Sequence, residues 1–242
     1  MKAFLTALLL AVSALMLGAE QTPSNKFEAA NEAFYAGEHE KALALYSDLD
    51  TVSPALLYNQ ARTLAALNRP GEAILLLERA HALAPRDPEI LASRALLREE
   101  LGLLGPQIPA YGEWAFFLSL NTWVWITAAA FWLFLGLLLL PPFFRWQGLI
   151  PRLLLALCAL ILLSGIAALG FHHTQRNLGI ITSPEATLKV APTSTSPQRD
   201  RLKPGSTAYL QRTHNGYHEV RLPNGQTGWV AQEAFTRVRP LS

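Results

Sequence analysis

Cysteine is nearly missing from this chain of 242 residues: Cys158 stands alone. It has no internal disulfide partner, and no Cys/His spacing suited to a metal is present. The motifs that announce common chemistries are also missing. There is no G-x-S-x-G nucleophile turn, no P-loop, no H-E-x-x-H and no G-x-G-x-x-G. The acids of the first half are spread along solvent faces and form no obvious pair. These absences lead us to expect no catalysis, no cofactor, no metal and no nucleic-acid partner.

Charge is scarce too, and beyond the N-terminal twenty residues two long stretches have none, residues 114–144 and 153–171. An apolar run of about 18 residues suffices to cross a bilayer core as a helix. The rest of the chain is too small to wrap both stretches as a soluble core. We therefore expect a transmembrane hairpin, with helices at 122–140 and 153–171 and a loop at 141–152. Pro141-Pro142 stops the first helix and Pro151 suits the first turn of the second. The loop carries Arg145, with Arg152 just beyond, and no acid. Short basic loops stay in the cytoplasm, so both flanking segments are expected outside it. Trp123 and Trp125 then fall at the outer interface and Trp146 at the inner one, while Tyr111 and Trp114 sit at the membrane surface. No Asp, Glu, Lys or Arg lies inside either helix, so ion or proton pathways have no carriers. The hairpin reads as an anchor, and Ser164, Gly165 and Ala168 allow its helices to pack closely.

The remaining sequence divides by sign and by period. Residues 20–113 hold eight basic and fourteen acidic side chains, and residues 172–242 hold nine and four. Opposite signs suit mutual contact, separate partners or ordinary solvated surfaces. Residues 1–19 read as a secretory signal: Lys2, an apolar core, then Leu17-Gly18-Ala19. Cleaved, or kept as a third membrane helix, it sends residue 20 outward.

Residues 24–104 are helical and repetitive. Ala42 and Ala73, Tyr46 and Leu77, and Pro54 and Pro85 are each 31 apart. Gly37 and Asn68 fall at the turns between paired helices, where a left-handed backbone favours Gly and Asn. Pro70 opens a helix, Pro54 and Pro85 each close a repeat, and 88–101 supplies one capping helix. The pattern resembles the tetratricopeptide repeat, three residues short of its usual period of about 34. That resemblance implies a concave peptide groove onto which Asn31, Tyr35, Asn59 and Arg62 would face. Asn31 and Asn59 match asparagines that hold a ligand backbone in peptide-clamping members, or they are simply exposed polar residues. The lysines that grip a terminal carboxylate are replaced by Phe27 and Glu89.

Residues 105–121 are rich in Gly and Pro and read as a linker, as do 172–180. Two adjacent histidines, His172 and His173, point in different directions on a helix and make no metal site. From 181 to 239 alternation replaces helical periodicity. Short strands are expected at 186–190, 207–212, 217–222, 227–230 and 235–238, with turns at Lys203-Pro204-Gly205 and Pro223-Asn224-Gly225. The string from Asn215 to Val230, the opening Ala186-Thr187-Leu188-Lys189-Val190 and the turn Leu202-Lys203-Pro204-Gly205 resemble a bacterial SH3-like domain. The resemblance implies a small barrel that closes its edges and a shallow aromatic groove made of Tyr209, Tyr217 and Trp229. Trp229, on a strand, reads first as barrel packing.

The expected whole is a multidomain membrane protein: an all-α tetratricopeptide-repeat solenoid, a two-helix transmembrane hairpin and an all-β SH3-like barrel. This order of parts resembles BatE-type proteins of the bacterial aerotolerance operon. That implies an inner-membrane protein with its soluble domains outside the cytoplasm and membrane-anchored or periplasmic partners, including von Willebrand A-type Bat proteins. The function expected is an envelope scaffold acting through the repeats. The alternative is a module that binds or senses peptidoglycan through the SH3-like domain.

Overall fold

The computed structural model describes residues 25–106, 110–139 and 149–239. The expected signal at 1–19 and the hairpin turn with Pro141, Pro142, Arg145 and Trp146 lie outside the described residues. The chain divides into two compact units after Asp50.

The first unit is a helix hairpin, α1 (Asn25–Tyr35) and α2 (His39–Ser47). Gly37 turns it at φ +80°, while the amide of Glu38 returns to the Ala33 carbonyl at 2.9 Å. Ala30, Ala33 and Ala42 are buried; side chains this small let the helices approach. Tyr46 fills the space beside them, edge-on to Phe27.

The second unit opens with α3 (Pro54–Ala66), α4 (Pro70–Leu83) and α5 (Pro88–Leu101). Each begins with proline, whose fixed φ suits the first helical position. Pro54 thus opens α3 rather than closing what precedes it. The Ser53 hydroxyl accepts from the amide of Leu56, and the Asp87 carboxylate accepts from the amides of Glu89 and Ile90. Both satisfy amides a helix start leaves orphaned. Asn68, at φ +56°, turns α3 into α4, and Gly102 ends α5 in the left-handed region.

A 3-10 stretch, Ala110–Phe117, leads to α6 (Leu120–Leu139) and α7 (Leu149–Thr174). Leu120–Leu139 and Arg152–His173 are long and apolar enough to cross a membrane, and only 6% and 17% of the most apolar 18-residue stretch of each is buried within the protein. A core helix would be mostly buried; these present Trp125, Trp132, Leu160 and Leu163 outward. The helices meet through small groups. A Cβ on Gly165 would collide with Thr127, and Ala130, Cys158 and Ala168 are buried. Ser164 instead turns its hydroxyl to the Ile161 carbonyl.

Seven antiparallel strands follow: β1 (Leu178–Ile181), β2 (Thr187–Lys189), β3 (Gln198–Arg201), β4 (Thr207–His214), β5 (Tyr217–Arg221), β6 (Thr227–Ala231) and β7 (Phe235–Arg237). Their order is β3-β2-β6-β5-β4-β1-β7. The sheet is not closed, contrary to the expected barrel, because β3 and β7 each pair on one side only. Edge β3 reads Gln-Arg-Asp-Arg and is wholly exposed; charge of that kind discourages further strand pairing. Strands β1 and β3 were not expected. β1 is an unalternating apolar run buried at all four positions. The segment 172–180 thus holds the last turn of α7 and most of β1.

Two apolar clusters use the sheet. One, including Leu188, Leu210, Val220 and Val230, fills its own interior. The other joins helix to sheet: Ile74 and Leu75 of α4 pack with Leu178, Ile180 and Val238. Alternation along β1 explains the division, since Leu178 and Ile180 face α4 while Ile181 faces the interior.

Candidate functional site

The residues expected to face a groove fall in both units. In the first, the Asn31 side-chain oxygen accepts from the Tyr46 hydroxyl at 2.6 Å, which ties α1 to α2 and gives Asn31 a packing role. Tyr35 is 77% exposed, a large aromatic offered to solvent at the end of α1. In the second unit, Asn59 and Arg62 are half-buried on α3. The Arg62 guanidinium lies 5.7 Å from the centre of the Tyr58 ring, within reach of a cation–π contact. The Asn59 carbonyl accepts from Thr63 Oγ1.

The three aromatics expected in a sheet groove are not brought together. Tyr209 packs at the helix–sheet joint, against the cluster of Ile74, Leu178 and Val238. Tyr217 and Trp229 do neighbour each other, through Glu219, which pairs with Trp229 across β5 and β6. Cations cover this patch. Lys189 Nζ stands 5.4 Å from the Tyr217 ring centre and the Arg212 guanidinium 5.2 Å from that of Trp229. Arg212 is also ion-paired with Glu219. Trp229 is 7% exposed, so it is a covered ring rather than an open platform, while Tyr217 is half-exposed.

The polar centre of the second unit lies elsewhere, at the joint of α4, α5 and the sheet. Glu78, 4% exposed, takes Arg98 at 3.0 Å and Arg94 at 3.2 Å. Arg98 also donates to the Leu104 carbonyl and to Thr207 Oγ1 on β4. Arg79 donates to the carbonyls of Arg237 and Val238, each at 3.1 Å. Burial pulls Arg79 below its ordinary value, the direction a desolvated cation takes. Lys203 donates to the Leu101 carbonyl. Among these contacts the opposite net charges of the two segments are not expressed as ion pairs. Basic side chains instead find backbone oxygens.

Beneath this joint, the 3-10 stretch caps the end of the hairpin. Trp123 Nε1 donates to the Ala115 carbonyl at 2.8 Å, and Trp114 meets both Trp123 and Phe171 edge-on. His172 is buried. Its Nε2 lies 3.0 Å from the Ala115 carbonyl and its Nδ1 lies 3.2 Å from Arg239 Nη2. Both bonds are made at once when the proton sits on Nε2. No group of three or more His, Cys, Asp or Glu suited to a metal occurs among the described residues.

Sequence reasoning missed this joint. Arg79, Arg94 and Arg98 fall among helical charges that read as solvated. The one available signal was Gly71, a glycine inside a helix start where no turn needs it. A Cβ there would lie 2.8 Å from the Thr182 carbonyl oxygen, so α4 touches the backbone after β1 at this point.

No family model, no curated protein and no solved structure matches the chain.

Proposed function

We propose that the chain is a non-enzymatic, membrane-anchored scaffold that holds protein partners through its helical hairpins. The observation that carries this reading is the docking of α3–α5, which precede the two candidate spans, onto the sheet that follows them. Two segments that pack on each other lie on the same side of a membrane. That supports two spans between them and a head held against the bilayer. Arg145 and Arg152, the basic residues between the two spans, support a reading in which this side lies outside the cytoplasm, at the inner membrane of a bacterium.

Buried residues of matching kind at a 31-residue spacing, Ala42 with Ala73 and Tyr46 with Leu77, support a tetratricopeptide-like origin for the helices. Strand lengths and the Asn224-Gly225 turn support an SH3-like origin for the sheet. Likeness to BatE-type aerotolerance proteins rests on this order of parts alone; it suggests von Willebrand A-type membrane proteins as the first partners to try. The wall-binding alternative is the weaker one, since Tyr209 is committed to the joint and Trp229 is covered.

The test uses the full chain, tagged and cross-linked in its native membrane before solubilisation. A discrete cross-linked partner should be lost in the Asn59→Ala/Arg62→Glu variant. Surface changes of that kind usually move stability by less than about 0.5 kcal/mol. If capture survives while the chain binds purified sacculi and loses that binding in Tyr217→Ala, the wall-binding reading replaces this one.

A further inference from the structure

A cavity of about 130 Å³ lies where the helices, the sheet and the end of the hairpin meet; Glu78, His81, Arg94, His172, Gln175 and Arg239 supply its polar lining. We propose that this cavity binds a phosphate oxyanion, as carried by an anionic phospholipid headgroup or by free phosphate.

The charge balance is the first argument. Glu78 is the one carboxylate among the described lining residues, and Arg94 and Arg98 already share it. Arg239 has a histidine nitrogen as partner and, among the described residues, no carboxylate within ion-pair distance. Burial holds its guanidinium below the ordinary value, with no acid raising it. Arg239 is half-buried; a partly desolvated cation without a counter-charge carries some cost, and a guanidinium fork fits phosphate oxygens well.

Two buried polar atoms are the second argument. His81 Nδ1 and Gln175 Oε1 have no hydrogen-bond partner. Buried polar atoms are nearly always paired: His81 in its Nδ1–H form can donate to a phosphate oxygen, while Gln175 Oε1, an acceptor, takes a hydrogen bond from the P–OH of a monoanion or from a water the ligand carries. The rest of the wall is apolar and includes Phe116, Leu178 and Val238.

Position is the third. His172 lines the cavity one residue before the candidate span ends at His173. Phe116 belongs to the 3-10 stretch that packs on the end of the hairpin and stacks edge-on against His172. On the reading that the hairpin spans the bilayer, on which this proposal rests, the cavity stands at headgroup level, where phosphate is abundant.

The test places the full chain in phosphatidylcholine nanodiscs in phosphate-free buffer. One arm adds phosphatidylglycerol to the discs and another adds inorganic phosphate. Either should raise the melting midpoint, and which of them does so identifies the source. Arg239→Gln should weaken the effective affinity about tenfold, the loss of one charge-assisted hydrogen bond, while Arg239→Lys should keep most of it. Arg94→Gln, a second cation of the lining, should weaken it as well, and it serves if Arg239→Gln does not fold. A chain that enters the discs yet shows no shift with either anion, or keeps the parent's full shift in both Gln variants, overturns the site. A chain that fails to enter the discs overturns the spanning reading instead.

Discussion

Arg98 on α5 donates to Thr207 on β4 at 3.2 Å, across 109 positions of sequence that contain both candidate membrane helices. The same guanidinium holds Glu78. One side chain therefore ties the helices before the hairpin to the sheet after it.

Breaking this tie should be expensive. Arg98→Met leaves Glu78 buried with Arg94 alone, and removing one partner of a buried pair costs roughly 3–5 kcal/mol. The full chain in detergent should melt earlier and expose the 103–106 connection to protease. Glu78→Gln combined with Arg98→Met should recover part of the loss, because the 4%-exposed carboxylate is then neutral and the charge that remains, Arg94, is 23% exposed and can reach water. A double variant as unstable as the single one would contradict the pairing.

Glycine substitutions test the joint sterically. Gly71→Ala would ordinarily strengthen a helix by about 1 kcal/mol. Here its Cβ meets the Thr182 carbonyl oxygen at 2.8 Å, and overpacking of this kind costs about 1–3 kcal/mol. The net effect on melting should be a loss. Gly105→Ala, with nothing within 4 Å, should be neutral. A stabilised Gly71→Ala would mean that α4 does not approach the sheet at this point.

The hairpin has its own contact of this type. Gly165→Leu should separate α6 from α7, because Thr127 occupies the space a side chain needs. Gly170→Leu, in open space, should not. Disulfide trapping between cysteines introduced on facing positions of the two helices, in a Cys158→Ser background, reads the difference.

Acid should loosen the joint through His81. Burial, helped by Arg94 and opposed by Glu78, pushes its imidazole from 6.5 down to about 4. The folded value is the lower one, so the unfolded chain binds the proton first as pH falls. Stability from this group is complete above about 6.5 and drains away toward about 4. At the acid end the effect is on the order of 3 kcal/mol. Melting points measured from pH 7 to 4.5 should fall less steeply in His81→Gln than in the parent chain.

The turns and the apolar helices were legible because local chemistry dictates them. Gly37 and Asn68 do take the left-handed backbone, and two helices do have membrane length. Five strands were visible through alternation. β1 was not, because a strand buried on both faces loses that alternation, and β3 was not, because an exposed edge needs no apolar residue. The candidate site was less legible still. Tyr209, Tyr217 and Trp229 look alike in a strand pattern, and only the packing of α4 and the positions of Arg212 and Lys189 separate their roles. Nor does the sequence of a helix reveal that an arginine such as Arg98 is 7% exposed.

The proposed arrangement is one head, built from α3–α5 and the sheet, on the non-cytoplasmic side of the membrane. Its most direct test labels single cysteines with a membrane-impermeant maleimide in right-side-out vesicles, in a Cys158→Ser background. Exposed Glu99 on α5 and exposed Asn224 in the β5–β6 turn supply the two flanks, and Gln147 supplies the expected loop. Glu99→Cys and Asn224→Cys should both label before the vesicles are opened, and Gln147→Cys only afterwards. Labelling of one flank without the other, or of Gln147→Cys in sealed vesicles, would contradict the account.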